Sequence, residues 1–237
     1  MKYFIVLGVL LAVMMPCAPV TAADDDEEVS AKQALQALND YIGEWNGSGA
    51  PEKPRPDPKE GWRETINWRW GFKGDDAWLV VKIKNGQYFK RGTLRYLTDK
   101  KRYQLTLITT AAKKQVFEGT LEDDVLALER LDPDKKETQR LKMNLAGDGA
   151  RFVYRYEHRP RGSTLFYKDY QVGCSKEGES LTAKEKKIEC VVSGGLGKIP
   201  VSYKGVTYYV CCSGCKDAFE ENPAKYVKEY EAKHGKN

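Results

Sequence analysis

Between residues 43 and 173, apolar and polar side chains alternate with a period of two, and short turn-prone pieces interrupt the alternation at close intervals. In "WRETINWRWGF" the side chains of Trp62, Ile66, Trp68, Trp70 and Phe72 share one face, while Arg63, Thr65, Asn67 and Arg69 share the other. That is the pattern of a half-buried strand. Similar runs occupy residues 44–49, 78–84, 88–97, 103–109, 116–121, 125–131, 140–145, 152–157 and 165–172, separated by "KNGQ", "TDKK", "LEDD", "DPDKK", "AGDG" and "RPRGS". Short connections join antiparallel neighbours, so the expected fold is mainly β, an up-and-down meander of about ten strands. Closing it into a barrel removes the exposed edges, which favours a barrel over a sandwich.

The segments before this region read differently. Lys2 followed by "YFIVLGVLLAVMM" and "PCAPVTAA" has the three-part form of a secretory signal, and its apolar run is too short to span a bilayer. Cleavage is expected near Ala22/Ala23, leaving an exported protein of the periplasm or cell surface. A lipoprotein signal through Cys17 is disfavoured by Met15 and Pro16, where small residues belong. An acidic leader follows, and then "VSAKQALQALNDYIG" places Ala34, Leu35, Leu38 and Ile42 at helical spacing. We expect a short amphipathic helix ended by Gly43.

Charge excludes one class of partner. The net charge of +5 falls to +4 once Lys2 is removed with the leader (5 − 1 = 4), and no concentrated basic patch is visible. Nucleic acid is therefore not an expected partner.

The helix followed by "YIGEWNG", residues 41–47, resembles the opening of lipocalin-like barrels, in which a glycine, any residue and a tryptophan begin the first strand. The resemblance implies that Trp45 plugs one end of the barrel and that a late basic residue, Arg155 or Arg159, packs on it. On the predicted barrel face lie Trp62, Trp68, Trp70, Trp78, Tyr96, Tyr103, Tyr154 and Tyr156. Such a set can line a cavity for an apolar small molecule or simply fill the interior, and filling is the commoner outcome in small barrels. The Pro-rich stretch "APEKPRPDPKE", residues 50–60, reads as an exposed linker.

Residues 174–187, rich in charge and poor in large apolar residues, read as a linker between a barrel domain at 29–173 and a cysteine-rich domain at 188–234. Beyond the leader the chain keeps Cys174, Cys190, Cys211, Cys212 and Cys215, an odd number that cannot all pair internally. Twenty residues separate Cys190 from Cys211 and three separate Cys211 from Cys215. Between the first two, "IPVSYKGVTYYV" alternates around Lys204-Gly205 and predicts a compact hairpin, so Cys211 leaves a strand. "SGCKDAFEEN" then opens a helix with Cys215 in its first turn, where the helix dipole favours thiolate. Asn222 and Pro223 cap and start a second helix. Three sulfurs can thus converge.

"ECVVSGG" followed by "VSYKGVTYYVCCSGCKDAFEENPAKYV" resembles the TRASH and YHS group of treble-clef-like metal-binding modules, over residues 189–227. The resemblance implies Cys190, Cys211 and Cys215 as metal ligands and a role in metal sensing, trafficking or storage. Zinc would want a fourth ligand, for which Cys212, His234 and water are candidates, whereas three thiolates alone suit Cu(I). In an oxidising setting the same cysteines could instead form disulfides and act as a clip, which would leave the barrel, as a carrier of an apolar molecule, to supply the function. Enzymatic signatures are missing: there is no nucleophile elbow, P-loop or H-E-x-x-H, and the two histidines, His158 and His234, sit in no motif. The acidic pairs Asp75-Asp76 and Asp123-Asp124 read as turn residues. A non-enzymatic, metal-binding protein is the expectation.

Overall fold

A computed structural model describes residues 29–55, 57–147, 149–176 and 188–235. The leader and most of the expected linker lie outside the described residues. Among these residues no helix is long and apolar enough to cross a membrane.

Ten strands form the main body: β1 (Gly43–Pro51), β2 (Trp62–Lys73), β3 (Asp76–Lys84), β4 (Phe89–Leu97), β5 (Arg102–Thr109), β6 (Lys114–Glu122), β7 (Val125–Asp132), β8 (Glu137–Ala146), β9 (Arg151–Pro160) and β10 (Tyr167–Lys176). Each pairs antiparallel with its sequence neighbour, and β1 pairs with β10, which closes the barrel. Short turns carry the chain between most strands, while residues 52–61 and 161–166 make longer connections. Asp123 and Asp124 both adopt positive φ, at 48° and 60°, the conformation that a two-residue hairpin turn requires.

The inward rows are close to those the alternation predicts. Ile66, Trp68 and Trp70 of β2, Leu105 and Leu107 of β5 and Phe152 and Tyr154 of β9 are all buried. Two inward positions depart from the expectation. Trp78 faces outward, where it lies against Gly71 and under the Arg95 guanidinium, while Ala77, Leu79 and Val81 take the inner face of β3. Glu64 faces inward and is buried; Tyr154 donates to it at 2.7 Å and the Trp62 indole at 2.9 Å.

The interior is filled. A cavity of about 30 Å³ remains between Ile66, Trp68, Leu105, Met143, Phe152 and Tyr154. That is room for a water or two, far below the several hundred Å³ of a small-molecule site.

Helix α1 (Ala31–Gln36) lies across one end of the barrel against β3 and β4. Its start is a capping box: Ser30 accepts from the Gln33 backbone and Gln33 reaches back to Ser30. Ala34, Leu35, Leu38 and Ile42 are buried on the predicted face. The helix ends earlier than Gly43, however, because residues Asn39–Tyr41 tighten into a 3₁₀ turn. Gly43, at φ +126°, instead begins β1.

Trp45 is fully buried beneath this turn and donates through its indole to the Tyr41 carbonyl at 2.8 Å. The basic group over its ring is Lys176, 5.0 Å from the centroid, rather than Arg155 or Arg159. Register explains the difference. Trp45 is paired with Lys176 across β1 and β10, whereas Arg155 reaches Gln171 on the outside and Arg159 covers Phe166.

The C-terminal part is a hairpin of β11 (Ile199–Tyr203) and β12 (Val206–Val210), followed by α2 (Ser213–Glu221) and α3 (Pro223–His234). The Asn222 side chain caps α3 by accepting from Lys225 N–H at 3.2 Å. α2 packs on barrel strand β2 so closely that a Cβ at Gly214 would run into the Trp70 carbonyl. The two parts share one continuous core.

Candidate metal centre

The first thiol is placed by a turn. Gly194 N–H donates to the Cys190 carbonyl at 2.9 Å, with Gly194 at φ +75°, and Cys190 N–H donates to the Gly195 carbonyl at 2.6 Å. Val191 N–H donates to the Tyr209 carbonyl at 2.9 Å, which ties this turn to β12. The second thiol, Cys211, leaves the end of β12. The third, Cys215, sits in the first turn of α2, whose N-cap position is Cys212.

These placements bring Cys190, Cys211 and Cys215 together, with their Sγ atoms all within 4.8 Å of one another. Cys211 and Cys215 stand 3.4 Å apart. Three thiolates at about 2.3 Å from one ion would be about 4 Å from each other, so the spread fits a metal without rearrangement of the backbone. Cys190 and Cys215 are buried while Cys211 is half-buried, so the group opens toward solvent on the Cys211 side.

Of the two candidates for a fourth ligand, Cys212 borders this group and His234 stands away from it. Cys212 Sγ lies 3.7 Å from Cys211 Sγ and is hydrogen-bonded to Cys215 as well, bonds that hold it below the usual thiol range, and it also accepts the Trp70 backbone N–H at 3.4 Å. His234 is held elsewhere: its Nε2 is 3.2 Å from Glu189 and its ring lies on Tyr230.

The electrostatics are those of crowded thiols that share protons. Hydrogen bonds from Cys211 and then Cys215 hold Cys190 well below the usual thiol range. Cys211 is pushed up chiefly by the same bond to Cys190, and Cys215 chiefly by burial. A low-dielectric pocket resists several adjacent thiolates, so the neighbours of an ionised sulfur keep their protons. A cation would reverse this, because each ligand must lose its proton to bind.

All five described cysteines are free thiols. Cys174 lies apart, inside the barrel near Glu64, and burial first and then the Glu64 charge push it up to about 12. A thiol held protonated in this way is a poor nucleophile. We expect a maleimide at pH 7.5 to leave Cys174 unlabelled in the native chain and to label it only in urea; rapid native labelling would show that this end of the barrel opens.

Comparison with known families agrees with this geometry. Residues 198–230 match the YHS domain. The YHS match spans β11, β12, α2 and most of α3, and it includes Cys211 and Cys215. Cys190 precedes the matched YHS residues and is supplied to the group by its own turn. No curated protein matches the chain. The family match and the three-cysteine group together support metal binding by this segment.

Sequence reasoning missed Ser193, which is fully buried beside two of the thiols. Its N–H donates to Cys190 Sγ at 3.4 Å and its hydroxyl lies 3.4 Å from Cys211 Sγ. The only signal was its position three residues after Cys190, where a turn aims the N–H back at the sulfur.

Proposed function

We propose that the protein is an exported, non-enzymatic binder of a soft metal ion, zinc or copper, held through Cys190, Cys211 and Cys215. Its role on this reading is sensing, trafficking or storage, carried by a C-terminal domain of residues 188–234 that follows the end of β10 in the chain. What supports it most is the convergence of three sulfurs from a turn, a strand end and a helix start within 4.8 Å. The supply of three thiolates suits Cu(I) as it stands, and a water or a shift of Cys212 would complete zinc. Export rests on the leader sequence.

Elemental analysis with thiol counting, on protein purified from an exported fraction without added metal, tests this. About one zinc or copper per chain is expected, with thiols that react fully only after chelation. Affinity should also climb with pH, about tenfold per unit for each proton displaced from Cys211 and Cys215. A metal-free protein with two disulfides and one reactive thiol would make the cysteines a clip and overturn the reading.

A further inference from the structure

The hydrogen bonds around the thiols do not stop within the C-terminal segment. Ser193 uses its N–H and hydroxyl on the sulfurs of Cys190 and Cys211, and its carbonyl accepts from Gln36 Nε2 and Asn39 Nδ2, each at 3.0 Å. Asn39 Oδ1 in turn accepts from the Trp70 indole N–H at 3.1 Å, and the Trp70 backbone N–H donates to Cys212 Sγ at 3.4 Å. A continuous chain of bonds therefore leaves the thiol group, crosses α1, the 3₁₀ turn and β2, and returns beside the same group. Close packing fixes both crossings: a Cβ on Gly195 would come within 3.1 Å of Asn39, and one on Gly214 would meet the Trp70 carbonyl.

We propose that Ser193 is a positioning residue for the metal site and that Gln36 and Asn39 hold it in place, so that the barrel end sets how strongly the C-terminal thiols bind metal. The inference rests on the metal-binding reading above. Two bonds to one carbonyl fix the peptide plane that follows Ser193, and with it the turn that presents Cys190. A donor on a thiolate also stabilises its negative charge and lowers the energy of the sulfur lone pairs. Partners of this kind, one bond removed from the metal, typically change affinity about 10–100-fold when lost. A role confined to docking the two parts would leave the sulfur electronics untouched.

Cobalt(II) titration of the full mature chain separates these cases, because thiolate-to-cobalt charge-transfer absorption reports both occupancy and the sulfur energy. Ser193→Ala, which deletes one buried oxygen, is expected to weaken cobalt binding about tenfold and to move the band to longer wavelength. Gln36→Met combined with Asn39→Leu, which keeps the shapes and removes the amides, is expected to weaken binding about 10–100-fold while Cys174 stays protected from maleimide. Should the double variant fail to fold, the single serine variant still decides. Wild-type affinity and an unmoved band in Ser193→Ala would overturn the proposal while leaving the metal site intact. A wild-type chain with no charge-transfer band would overturn the metal reading itself and this inference with it.

Discussion

Replacing Cys190, Cys211 or Cys215 singly by serine is expected to weaken zinc or Cu(I) binding by about a hundredfold, whereas Cys174→Ser should leave affinity at the wild-type level. The magnitude follows from sharing roughly 10–16 kcal/mol of structural-site binding energy among three or four ligands, or about 3 kcal/mol each, at 1.4 kcal/mol per tenfold. Serine keeps the size of the side chain but stays protonated, so it offers no soft anionic donor. Position separates the controls. The three sulfurs share one pocket, while Cys174 faces Glu64 inside the barrel. Cys212→Ser should fall between the two classes, since its sulfur sits 3.7 Å from Cys211 but is turned onto the Trp70 N–H. Competition titration against a chromophoric chelator measures all five variants under one condition. Equal losses in all five would mean that the thiols act through general stability rather than ligation.

The barrel was legible because period-two alternation is a local property: one face is buried along each strand, and a slip of one residue would invert it. Strand ends are correspondingly close to expectation, and Asp123-Asp124 turns as predicted. Features that depend on partners far along the chain were not legible. α1 stops at Gln36 rather than running to Gly43, and beyond it the Asn39 side chain is engaged by Ser193 and Trp70, neither of which helix propensity can see. The cation on Trp45 is set by the closing register of β1 on β10, so the barrel resemblance pointed to the wrong residue. At the thiol group the spacing and the hairpin predicted which sulfurs meet. It did not predict where Cys212 would turn, because that is decided by how tightly Gly214 lets α2 approach β2. Glu64 was missed for a simpler reason: an inward carboxylate breaks the pattern that identified the strand, and only Tyr154 and Trp62 make it tolerable there.

Trp45→Ala is expected to lower the unfolding free energy by about 3–5 kcal/mol, the usual cost of deleting a large buried aromatic side chain. Against a typical total of about 5–15 kcal/mol this is a severe loss. The indole has no solvent exposure, packs on Phe152 at 5.7 Å between ring centres, and satisfies the Tyr41 carbonyl. Tyr41 itself spans the barrel end: its ring meets Phe152 and Trp68, and its hydroxyl donates to the Met143 carbonyl at 3.1 Å. Removing Trp45 therefore empties the floor beneath the 3₁₀ turn that carries Asn39, and the damage reaches the bonds that end on Ser193. Urea denaturation followed by far-UV circular dichroism measures the loss, and Trp45→Phe should recover much of it by refilling the space without the hydrogen bond. A loss below about 1 kcal/mol would show that the end of the barrel collapses onto the gap, in which case Trp45 is not the plug that its burial and bonding indicate.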